Sequence, residues 1–146
     1  MPSARNFFTD AQKQEIVKAI QQAENVTSGE IKVHVEESCG PDVLQRAAVV
    51  FQKLELKTTT LKNGVLIYLA VKDRQFAILA DEGINKKVSE NFWEEIKDGM
   101  QQEFSKGRFL EGLLQGIRQS GEQLNIHFPI TPGDRNELTD EISFEE

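Results

Sequence analysis

KNGVLIYLAVKDRQFAILADEG, residues 62–83, is the stretch whose reading decides the fold. From Gly64 to Val71 it is apolar on both parities, with Val65, Ile67 and Leu69 alternating with Leu66, Tyr68 and Ala70. Only a strand covered on both faces wants that pattern, so this strand is central. Lys72-Asp73-Arg74 is too short for a crossover and must send Gln75 to Ala80 back antiparallel beside it. The hairpin ends in the acidic corner Asp81-Glu82-Gly83, the best chemical clue in the chain.

Upstream, Thr9 and Gln12 form a T-x-x-Q capping box, and Ile16, Val17, Ile20 and Ala23 follow at helical spacing, predicting a helix over 10–24. Ile31, Val33 and Val35 alternate with Glu30, Lys32, His34 and Glu36, a strand with one apolar and one polar face. Its charges predict a sheet edge. After Gly40-Pro41, residues 43–56 carry Val43, Leu44, Ala47, Ala48, Phe51 and Leu54 as a second amphipathic helix. Strand, helix and central strand make one βαβ unit, with parallel strands and a right-handed crossover. The sheet is therefore mixed, with at least three strands.

Downstream, Val88, Phe92, Ile96, Met100 and Phe104 recur every four residues, predicting a long helix with a break near Gly99 and a cap at Gly107. A last helix carries Leu110, Leu113, Leu114, Ile117 and Leu124, with Gly112 and Gly116 read as close-packing positions. Leu124 to Pro129 is read as extended. Residues 1–130 are expected to form one domain, and the acidic tail 131–146 to be irregular.

Length and composition bound the function. With 146 residues, 38% hydrophobic and 28% charged, the chain has a globular protein's composition and can bury a proper core. A net charge of −7 opposes nucleic-acid binding and docking on anionic lipid. One cysteine, Cys39, allows neither an internal disulfide nor a cysteine-based zinc cluster. No stretch approaches the ~20 apolar residues of a membrane span, and no signal-peptide core is visible. A cytoplasmic monomer without direct membrane insertion is expected.

Strand directions gather Thr27, Ser28, Glu30, Asn63, Asp81 and Glu82 at one end of the sheet, and Glu36, Glu37, Asp73 and Arg74 at the other. The first cluster could supply the oxygen ligands of calcium or magnesium. Asp81 before a helix also reads as a cap, and on pattern alone the cap is favoured. The chain has no calcium loop, no Walker loop and no H-E-x-x-H. His34 and His127 read as surface or packing residues, and no Ser-His-Asp arrangement is legible.

The succession TSGEIKVHVE (27–36), RAAVVFQKLEL (46–56), KNGVLIYLAVKDRQFAILADEGI (62–84) and FSKGRFLEGLLQGI (104–117) resembles the TPM domain family. That family includes thylakoid-lumen proteins linked to photosystem repair. The resemblance implies a three-layer α/β/α sandwich with a small mixed central sheet. It also implies an acidic divalent-metal site, which by motif match falls on Asp81 and Glu82 with Glu30 and Asn63 as neighbours. An acid-phosphatase activity, proposed for some plant relatives, is the further implication. More divergent relatives carry a glycine-tyrosine-glycine-like turn with a later Glu and Asp where this chain has Asp81-Glu82-Gly83-Ile84-Asn85, and the Asn85 amide cannot replace a carboxylate's charge, so metal binding is the stronger carry-over. The expected function is a calcium- or magnesium-binding domain without robust catalysis. The alternatives are a metal-assisted phosphatase using Lys62, Lys86 or Lys87 to hold phosphate, and an adaptor for a membrane complex whose tail contacts a protein partner.

Overall fold

The computed structural model describes residues 4–54, 64–86, 90–129 and 142–145. After a short 3-10 turn at Ala4–Asn6 come α1 (Asp10–Glu24), β1 (Glu30–Glu36), α2 (Val43–Lys53), β2 (Gly64–Ala70) and β3 (Gln75–Ala80). The short α3 (Glu82–Asn85), α4 (Glu90–Ser105), α5 (Phe109–His127) and β4 (Ser143–Glu145) complete the order. The sheet order is β3-β2-β1-β4, with β1 parallel to both neighbours and β3 antiparallel to β2. The mixed sheet and the central position of β2 are as the apolar run implies.

Two cores lie on opposite faces of this sheet. Ile31, Val33 and Val35 of β1 join Val65, Ile67 and Leu69 of β2 against Ile16 and Ile20 of α1, Met100 of α4 and Leu113 and Ile117 of α5. Leu66, Tyr68 and Ala70 face the other way, onto Ala47, Val50 and Phe51 of α2. The period-two alternation of the strands thus divides the helices into two layers around the sheet.

Local chemistry explains the boundaries. Thr9 accepts from the Gln12 amide while the Gln12 side chain accepts from the Thr9 amide, so the capping box starts α1 as its sequence dictates. Asp42, not Pro41, caps α2 by accepting from the amides of Leu44 and Gln45. Arg74 sits at φ 54, the left-handed conformation that closes the tight β2–β3 turn. Gly107 supplies φ 78 between α4 and α5.

Four expectations are corrected. β1 is an inner strand with all seven residues buried, because β4 from the chain's end takes its outer side. The described part of the tail is accordingly a strand where it was expected to be irregular. α4 runs unbroken through Gly99, where the missing Cβ leaves room for the Gln115 side chain of α5. α5 continues to His127, past the predicted extended start at Leu124, and Pro129 then forms an isolated bridge with Thr27. α2 reaches Lys53 with Leu54 as its C-cap; residues 55 and 56 of its predicted span lie outside the described residues.

Close helix packing at the α5 glycines is observed. A Cβ on Gly116 would lie 2.5 Å from the Met100 sulfur, and one on Gly121 would lie 2.6 Å from the Ala23 Cβ of α1. Methionine can move aside, but Ala23 has only its backbone behind it. Gly121→Ala should therefore destabilise by about 1–2 kcal/mol in urea unfolding, overriding the roughly 1 kcal/mol by which alanine favours helix. Gly107→Ala, which meets nothing within 4 Å, should lose about 1 kcal/mol from backbone strain alone.

Candidate functional site

Asp81 leaves β3 at the corner the sequence singles out. Its backbone N–H donates to the Gly64 carbonyl at 2.9 Å, continuing the β2–β3 ladder by one bond. Its Oδ1 accepts from the Glu82 amide at 2.8 Å, so the capping expectation is correct. Asp81 is only 8% exposed, and its Oδ2 is buried with no hydrogen-bond partner among the described residues. Burying a carboxylate oxygen without a partner is costly, so this atom is the local anomaly.

A cavity of about 450 Å³ opens at this corner, lined in part by Phe51, Gln52, Leu79, Asp81, Glu82 and Lys86. Asn85 is committed to structure: its amide donates to the Ala80 carbonyl and its oxygen accepts from the Trp93 indole N–H. Trp93 itself is half-buried, packed against the main core.

Register settles how far the strand-direction argument holds. Glu30 pairs with Gly64, and Asp81 hydrogen-bonds to Gly64 from the other side, so both carboxylates do lie at one end of the sheet. They are two strands apart, about 10 Å between backbones at the usual strand spacing. Among the described residues, no group of three or more His, Cys, Asp or Glu is close enough to hold a metal ion. Asn63, Lys62 and Lys87 lie outside the described residues.

The opposite end holds a cluster that the linear pattern conceals. The polar face of β1 is buried, and Glu36 is only 3% exposed. Its carboxylate accepts from Arg46 Nε at 2.7 Å and Nη2 at 2.9 Å, and from the Tyr68 hydroxyl. His34 Nε2 lies 3.0 Å from Glu36 Oε1, and His34 Nδ1 lies 2.9 Å from the Ser143 hydroxyl of β4. The imidazole stacks on the Tyr68 ring at 5.8 Å between centroids. Burial pushes the Glu36 carboxyl up, but hydrogen bonds from Arg46, Tyr68 and His34 and the Arg46 charge outweigh it and hold it at about 2. Burial and the bond to Glu36 push the Tyr68 phenol up.

Ser143, His34 and Glu36 thus stand in a line that resembles a nucleophile relay. The chemistry is different. Arg46 pairs with the Glu36 charge and Tyr68 donates a hydrogen bond to it, so the carboxylate is already committed to structural partners. The line is built to hold β4 on β1. Its sequence signal was Glu36 and Arg46 spaced across a strand–helix loop, but only burial reveals it.

Beside it, Asp73 accepts from the Ser38 hydroxyl at 2.7 Å and the Cys39 amide at 2.9 Å. These bonds hold the Asp73 carboxyl below its ordinary range. Burial, then Asp73, push the Cys39 thiol up, so it is a packed thiol with little thiolate character.

Residues 3–123 match the TPM domain. The chain belongs to the TPM domain family. It is similar to the BA42 protein of the psychrophilic bacterium Bizionia argentinensis, whose NMR structure is 43% identical, with 99% of this chain and all of that chain covered, at a TM-score of 0.91. The N-terminal domain of the cg2496 protein of Corynebacterium glutamicum shares the fold at 17% identity and a TM-score of 0.58, over 80% of this chain and 73% of that one. No curated protein matches the chain. No helix among the described residues is long and apolar enough to cross a membrane.

Glu36 makes the clearest pH prediction. Its folded carboxyl titrates near 2 against an ordinary 4.5, so its contribution is complete above about pH 4.5 and is lost as pH falls toward 2. The shift corresponds to about 3 kcal/mol. Denaturant melts of wild type and Glu36→Gln across that window should differ in slope, with the variant lacking this component.

Proposed function

We propose that this TPM domain binds a divalent cation, calcium or magnesium, at the acidic corner where β3 meets α3. The observation that carries the reading is the Asp81 carboxylate, with one oxygen fixed on the Glu82 amide and the other buried without a partner among the described residues. A hard cation wants such an oxygen, and the cavity beside it has room for the ion's waters. Glu82 supplies a second carboxylate at the cavity wall. Glu30, across Gly64, and Asn63, next to Gly64 in sequence, are the outer members of the proposed ligand set.

The domain acts in this reading as a cation-binding module without robust catalysis. Metal-assisted phosphate-ester hydrolysis is the second reading, favoured by one observation: Lys86 lines the same cavity as Asp81 and Glu82 and could hold a phosphate oxygen. Turnover of an aryl phosphate that chelation abolishes and Lys86→Ala reduces at least tenfold would establish it.

For the cation, NMR titration with calcium and magnesium in separate runs should shift the amides of Asp81, Glu82 and Gly83 and, more weakly, Glu30 and Gly64. Asp81→Asn should weaken binding at least tenfold while leaving unfolding within about 1 kcal/mol, because asparagine caps a helix nearly as well as aspartate. Identical spectra with and without millimolar cation would overturn the proposal.

A further inference from the structure

We infer that the outer side of β1 is a receptor for an extended acidic peptide carrying a hydroxyl–aromatic pair, and that the chain's own β4 is its intramolecular competitor. β4 sits there as a short strand added in parallel, with Ser143, Phe144 and Glu145 opposite His34, Val35 and Glu36. Each of its first two side chains has a dedicated reader. The Ser143 hydroxyl lies 2.9 Å from His34 Nδ1, an imidazole fixed from behind by Glu36 and Tyr68. The Phe144 ring packs on the main core and carries two cations, with the Arg5 guanidinium 5.6 Å and the Lys13 ammonium 5.2 Å from its centroid.

This is how β-augmentation sites work: main-chain pairing supplies affinity and pockets for alternate side chains supply selectivity. Here the hydroxyl reader lies on one face of the sheet and the aromatic reader on the other. The occupant's charge follows from the rim. Arg5 and Lys13 border the aromatic position, and the sequence that contains β4, EISFEE over residues 141–146, is rich in carboxylates.

A three-residue strand has little affinity by itself. Its contacts to His34 and the core suffice because β4 belongs to the same chain as β1, so its pairing is intramolecular and not limited by concentration. A partner segment that pairs with more of β1 than β4 does would displace it. The partner inferred is a different protein with such a segment. Strand exchange between two copies brings the same three residues and meets the same tethered competitor, so it has no advantage.

The test uses the full-length chain and a labelled peptide, Ile-Ser-Phe-Glu-Glu, equivalent to residues 142–146. Phe144→Ala should release the internal strand and bind the peptide saturably, with amide shifts at His34 and Val35. Wild type should bind at least tenfold more weakly, and a peptide with alanine for phenylalanine should bind neither. Ser143→Ala, which removes only the contact to His34, should show intermediate binding and keeps the test informative if Phe144→Ala fails to fold. No peptide binding by either variant, or equal binding by wild type and both variants, would overturn the inference. So would concentration-dependent dimers of wild type that the peptide does not dissociate.

Discussion

A carboxylate has been taken out of water in the middle of this protein, and the structure around it follows from that fact. Glu36 ends the first strand at a position closed off by α2, and an isolated charge there would cost several kcal/mol. Arg46 meets it with two donors in fork geometry, fixing the rotation of α2 over the sheet. Tyr68 on β2 and His34 on β1 take up its remaining acceptor capacity. One side chain therefore ties two strands and a helix into one arrangement, and through His34 it reaches the last strand as well.

This explains where the sequence was readable and where it was not. The apolar run 64–71 admits no interpretation but a central strand, because both faces must be covered. The capping box at Thr9 and Gln12 and the turn before Gln75 depend on neighbours within four residues, and they are visible in the sequence. β1 misled because alternation reports which faces differ, not which face is wet. His34 and Glu36 look solvated until Arg46, Tyr68 and Ser143 are placed beside them, and those partners lie up to 109 residues away. The tail misled for the same reason: acidic composition says nothing about three residues, Ser143 to Glu145, that find a prepared edge.

The two ends of the sheet differ in kind. At the Asp81 end a buried carboxylate oxygen has no hydrogen-bond partner among the described residues and lies beside a cavity. At the Glu36 end every oxygen of the carboxylate is engaged. The first is an arrangement with unspent capacity for a ligand. The second spends its capacity on cohesion, which is why a line of serine, histidine and glutamate there works as a clasp. Strand direction alone correctly assigned Glu30 and Asp81 to one end, but it could not give the separation of two strands between them.

The first and last described elements meet at this clasp, since Arg5 lies over the ring of Phe144. A ribosome releases Phe144 only after every other element has emerged. Until then β1 has no neighbour on its outer side, and the hydroxyl that His34 awaits has not been made. The sheet therefore closes only once β4 has emerged, and a nascent chain stalled before Ser143 would present an open strand edge to whatever chaperone or neighbouring chain reached it first.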